Sequence, residues 1–169
     1  ARKVGEISKV RTSYMRSLIW EMLTGISHEL EADALDHGKT VRIYGEACDF
    51  HIDGDKKYDW KTLFDKRKNN DLSDFKFHST TTISRIRPFL SQTFPGGADE
   101  TVSDQMRADD FIRELKETES KGGELPNLMV MALPNDHTAG TNPNYPIPKA
   151  MVADNDLAVG RDRKSTRLN

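Results

Sequence analysis

Leu128-Met129-Val130-Met131-Ala132-Leu133-Pro134-Asn135-Asp136-His137-Thr138-Ala139-Gly140-Thr141 is the stretch that decides how this chain is read. It opens on an unbroken apolar run, Leu128 to Leu133, of the length expected for a strand buried on both faces. Pro134 to Thr141 then packs a carboxylate, an imidazole and two threonine hydroxyls into a turn. Open α/β sheets hold ligands outside the carboxyl ends of their strands. Asp136 and His137 are therefore the first candidates for chemistry. A carboxylate and a neutral imidazole are common ligands of a divalent ion such as Zn²⁺. Neighbouring residues reach one ion only where the backbone turns between them, because in an extended chain their side chains diverge. The same residues also suit a plain turn, with Asp136 closing an Asx-turn and His137 on the surface. Thr138 and Thr141 read either as phosphate contacts or as turn hydroxyls.

Outward from this stretch, elements alternate. Upstream, Ser103 is placed to cap a helix with Asp104 at its positive end. Ala108, Phe111, Ile112 and Leu115 share one face of that helix, and Gly122-Gly123 stops it. Downstream, a proline-rich loop leads to a helix beginning near Pro148. Met151, Val152 and Leu157 are expected on its core face, with Asp154 and Asp156 facing solvent or packing early in the helix. Further back, Leu18, Met22, Ile26 and Leu30 form a helical stripe that ends near Gly38, with Gly25 as a kink. Thr40-Val41-Arg42-Ile43-Tyr44 is β-rich and closed by Gly45; Glu46 follows at the strand end. Helix followed directly by strand points to an α/β fold and not to a helix bundle.

Residues 47–100 read as an irregular excursion over the sheet. Asp53-Gly54-Asp55 is a turn, Trp60, Leu63 and Phe64 could line a short helix, and Ser84 to Leu90 could form another. The tail from Asp162 to Asn169 is polar and lacks the period of the preceding helix. Its end, Lys164-Ser165-Thr166-Arg167-Leu168-Asn169, looks like a translated sequencing adaptor, so residues 162–169 are expected to be a non-native tail or else a frayed, disordered C-terminus.

Composition narrows the classes. The chain has 169 residues, room for one domain with a core. With 36% hydrophobic and 31% charged residues and a mean hydropathy of −0.70, the apolar side chains must be concentrated to build it. A net charge of −2 supplies no basic field for nucleic acid. No apolar run approaches the ~18 residues of a membrane span. Cys48 is the single cysteine, so no internal disulfide forms. The start at Ala1, without an initiator Met, reads as that of a fragment or a processed product.

LPNDHTAGTNPNYPIPKAMVADNDLAVGR, Leu133 to Arg161, resembles a segment of bacterial phosphoesterases of the alkaline phosphatase superfamily, the phospholipase-C-like proteins among them. LIWEMLTG, VRIYGE and VSDQMRADDFIREL resemble upstream pieces of the same family. The resemblance is scattered from about Leu18 and dense only after Val102. It implies a three-layer α/β/α sandwich with a mostly parallel sheet, truncated here, occupying residues 1–161. It implies a phosphoester hydrolase using a Ser or Thr nucleophile with one or two divalent ions, zinc foremost. Asp136 and His137 then become metal ligands, and Thr138 and Thr141 substrate contacts. The partner is a small phosphoester, and the compartment periplasmic or extracellular. The family's nucleophile and its later ligand segments have no counterpart in this sequence, so the chain alone is expected to be inert. Two alternatives stand beside this reading: a binding module that kept the fold, and a sulfatase or phosphomutase relative.

Overall fold

The computed structural model describes residues 31, 33–53, 58–97 and 99–165, the side chains of 163–165 excepted. The stripe from Leu18 to Leu30, the Gly25 kink and the Gly54-Asp55 turn lie outside the described residues. Residues 33–36 are helical and end where expected. Gly38 takes φ +66°, and the Gly38 and Lys39 amides bond back to the Leu35 and Ala34 carbonyls. That left-handed residue satisfies the last carbonyls of the helix, and glycine adopts it without a side-chain clash.

The chain is a mixed α/β protein. Strand β1 (Val41–Tyr44) runs parallel to β4 (Leu128–Met131), with Val41 opposite Leu128 and Tyr44 opposite Met131. Reciprocal bonds fix where the pair starts: the Thr40 amide donates to Asn127 Oδ1 (3.0 Å) and the Asn127 amide to Thr40 Oγ1 (2.9 Å). β1 is the buried strand, with Ile43 and Tyr44 almost wholly covered. Leu90 bridges its other edge at Ile43. β4 is only half-buried throughout, which corrects the expectation of a strand covered on both faces. Among the described residues no strand pairs with its outer edge.

The described residues between 47 and 100 hold regular elements in place of the expected irregular excursion. Strands β2 (Asp49–Ile52) and β3 (Phe77–Thr80) pair antiparallel, and helix α1 (Trp60–Lys68) lies between them in sequence. Asp59 caps α1 by accepting from the Thr62 amide at 2.7 Å. Leu63 is fully buried on this helix and packs with Ile52, Phe75, Val102 and Met106. Trp60 stacks on Phe64 at 4.7 Å. The expected helix at Ser84 to Leu90 is only a 3₁₀ turn, Arg87–Phe89, because Pro88 cannot donate to a longer ladder.

Helix α2 (Asp104–Ser120) forms as its pattern requires. Ser103 Oγ accepts from the Met106 amide, and Ala108, Phe111 and Leu115 are buried. Gly122 takes φ +67° beyond its end. Tyr44 is clamped edge-on between Phe94 (5.7 Å) and Phe111 (4.9 Å), which seats α2 on β1. On the same face Glu114 receives both Arg42 (2.6 and 3.0 Å), Ser91 Oγ (2.7 Å) and the Tyr44 hydroxyl (3.0 Å). Burial works against its charge, yet these donors hold its carboxyl below the usual range.

Helix α3 (Pro148–Ser165) closes the described chain and runs into the stretch expected to be a non-native tail. Asp162 on it is buried. Burial, with Asp104 adding to it and Arg161 opposing, pushes the Asp162 carboxyl up to about 6 from 3.8. Between those values the folded chain holds the proton and the unfolded chain has released it, so this residue makes stability fall as pH rises. About one pH unit above 6 the cost is complete. Asp162→Asn is therefore expected to be more stable than the parent at pH 7, by up to roughly 3 kcal/mol, and nearly equal to it at pH 3.5. Paired urea titrations at the two pH values measure the difference; an equal gap at both would remove Asp162 as its source.

No helix among the described residues is long and apolar enough to cross a membrane.

Candidate functional site

The chain leaves β4 and tightens at once into a 3₁₀ turn, Pro134–His137. Pro134 opens it, its fixed φ suiting the first turn position. The turn sits at the carboxyl end of a parallel strand, and it supplies the change of direction that neighbouring ligands need. Asp136 and His137 consequently project to one side. Asp136 Oδ1 and His137 Nε2 are 3.7 Å apart, with the side chains 54% and 78% exposed. That spacing exceeds a hydrogen bond and leaves both groups open to solvent. Thr138 follows at φ +58° and ψ +159°, a region otherwise almost reserved for glycine. For a β-branched residue this backbone costs on the order of 1–3 kcal/mol. Its hydroxyl accepts from the Gly140 amide at 3.3 Å, so it serves the turn. Thr141 is exposed further along the loop.

What presents the pair is Asn135, which is fully buried. Its amide N–H donates to Asp104 Oδ2 (3.0 Å), and its side-chain NH₂ donates to Asp154 Oδ2 (2.9 Å). Asp154 Oδ2 also accepts the Asp104 amide (2.6 Å). Asn155 donates to Asp104 Oδ2 (3.0 Å) and to the Leu133 carbonyl (2.8 Å). Arg107, wholly buried, completes the network: it donates to Asp104 Oδ1 (3.0 Å) and to the carbonyls of Pro95, Val102 and Asp99. Burial pushes the Asp104 carboxyl up despite the Arg107 charge beside it, and the same burial pulls the guanidinium down. The turn is thus bolted to the N-terminal end of α2 and to α3 at once.

This network corrects the expected facing of α3 at Val152, Leu157 and Asp154, while Met151 is buried as expected. Val152 and Leu157 are 40% and 63% exposed, whereas Met151 and Ala158 are buried and Asp154 and Asn155 point inward. The inward stripe runs Met151, Asp154, Asn155, Ala158, Asp162, which is helical spacing with a polar centre. A rule that seeks apolar residues for the core turns such a helix the wrong way round. The signal available was that spacing, with carboxylate and amide side chains in the stripe. Asp156 is exposed on the outer side of α3, and Glu46 lies half-buried beyond β1.

No family model, curated protein or solved structure matches the chain.

Chemically, the arrangement offers a carboxylate and an imidazole on a rigid mount. Both donors are of the types that hold Zn²⁺, and both are accessible, so they fit as part of a shell. Among the described residues no three His, Cys, Asp or Glu side chains converge to hold an ion. Two protein ligands fall short of the roughly four of a tetrahedral site.

Proposed function

We propose that this chain is part of a metal-dependent phosphoester hydrolase of the alkaline phosphatase-like type, and that Asp136 and His137 are two of its metal ligands. The observation that carries the reading is the turn itself: an exposed acid–imidazole pair, 3.7 Å apart, set on a buried polar scaffold at the end of a parallel strand. The sequence resemblance from Leu133 to Arg161 gives the reaction class. In this reading β1 and β4 belong to the central sheet of an α/β/α sandwich. A divalent ion, zinc foremost, would polarise a phosphoryl oxygen and assist a Ser or Thr nucleophile. The chain's own contribution is to fix the two ligands and to present Thr138 and Thr141 to a small phosphoester.

The test is Asp136→Ala in the enzyme that contains this segment, assayed with aryl phosphate mono- and diesters in Zn²⁺. Loss of the ion removes several kcal/mol of transition-state stabilisation, so turnover should fall on the order of a thousandfold or more. The melting temperature should hardly move, since the side chain is more than half exposed. The 169-residue chain by itself should show no turnover under the same conditions. Unchanged activity in the variant would leave Asp136 as a turn residue and end the proposal.

A further inference from the structure

The β2–β3 ribbon sets two imidazoles side by side, remote in sequence from the turn after β4. The ribbon alternates. Ile52 and Ser79 are buried and Phe50 and Phe77 pack with the core, while Asp49, His51 and Thr80 are exposed. His51 and His78 stand directly opposite each other in the register. Their rings stack with centroids 5.4 Å apart and planes 21° from parallel. Asp53, two residues beyond His51, reaches across so that its Oδ2 lies 3.0 Å from His78 Nε2. All three side chains are open to solvent, with His78 44% and Asp53 52% exposed.

We infer that this face binds a borderline divalent transition ion, Zn²⁺ or Cu²⁺, through the imidazoles of His51 and His78. An ionised carboxylate can only accept, so His78 Nε2 carries the hydrogen and its Nδ1 bears the lone pair. A metal-bound histidine is usually arranged this way, with one nitrogen on the ion and the other donating to a carboxylate that fixes the ring. Side chains directly opposite on paired strands have Cβ atoms about 5 Å apart, a span one ion can bridge. Stacked rings direct their lone pairs side by side, so a χ2 rotation of His51 is needed to bring both onto one ion, with His78 kept on Asp53. That torsion is soft for an imidazole. Imidazole favours zinc and copper over magnesium and calcium, and water completes the shell.

The inference does not rest on the phosphoesterase reading. It is tested by titrating the full chain with Zn²⁺, and separately Cu²⁺, while following the histidine ring signals by NMR and the affinity by calorimetry. His51→Ala and His78→Ala are each expected to weaken binding at this site more than about tenfold, and Asp53→Asn by about tenfold. His37→Ala, an exposed histidine outside both groupings, should leave it unchanged, and Mg²⁺ should not compete. These side chains are exposed, so the variants should keep the fold, which circular dichroism checks. Binding that survives both histidine variants of the ribbon, binding lost with His37→Ala, or no binding at millimolar ion would each overturn the inference.

Discussion

Arg107→Ala is expected to lower the stability of the fold by about 3–5 kcal/mol, enough to leave a marginal domain largely unfolded. The guanidinium is fully buried and makes four donations, one to Asp104 and three to main-chain carbonyls. Truncation leaves a carboxylate without its cation in a place water does not reach. It also strips the donors from the loop that contains Pro95, Asp99 and Val102. The pair itself adds little net stability, since desolvation opposes its attraction; breaking it is what costs. Arg107→Lys keeps the charge but loses the planar fork, so it should fall between parent and alanine. Urea unfolding at constant slope reads the midpoints. A loss below 1 kcal/mol for the alanine variant would show that solvent reaches Asp104 and that the seam is not sealed.

Gly96→Ala should be nearly as damaging, for a reason of shape. A methyl carbon there would overlap Cys48 Sγ and would lie 2.7 Å from Gly45 Cα and 3.1 Å from Ser79 Oγ. Gly45 cannot easily retreat: it holds φ +79°, its carbonyl accepts from the Gly97 amide at 3.0 Å, and Phe94 lies against it. Gly96 itself donates to Ser79 Oγ (3.1 Å), and that hydroxyl donates to the Phe94 carbonyl (2.5 Å). Two backbones in contact leave no side chain to rotate aside, so the substitution should cost about 3 kcal/mol or more. Gly160→Ala is the matched control. Nothing lies within 4 Å of the added carbon, and the position is helical, so it should gain up to about 1 kcal/mol. Opposite signs for the two substitutions, measured by the same unfolding assay, are the expected result. A near-neutral Gly96→Ala would mean that the turns at Gly45 and Gly96 move apart freely.

Much of the frame was legible because local chemistry and tertiary structure agree there. Ser103, the Ala108–Phe111–Leu115 stripe and the Gly122 stop all do in the fold what their types do in isolation. Gly38 and Gly45 end their elements for the same reason. The turn carrying Asp136 and His137 could be located, because an apolar run ending in proline and polar residues marks a strand end. Its support could not. Asn135, Asp104, Arg107 and Asp154 come from three separate stretches, and each alone reads as a cap or a surface charge. β2 and β3 were hidden differently: Asp49-Phe50-His51-Ile52 and Phe77-His78-Ser79-Thr80 are four-residue strands with few apolar members. Their partners are defined by pairing, which no local window contains.

The polar seam between α2 and α3 has one more effect. Two helices joined by grease alone can ratchet past each other by a turn and find nearly the same comfort. Here such a slip would pull Asn155 off Asp104 and Asp154 off the Asp104 amide together, with no substitute waiting one turn along. The helices are keyed, not merely stuck, and the turn that displays Asp136 inherits a single address.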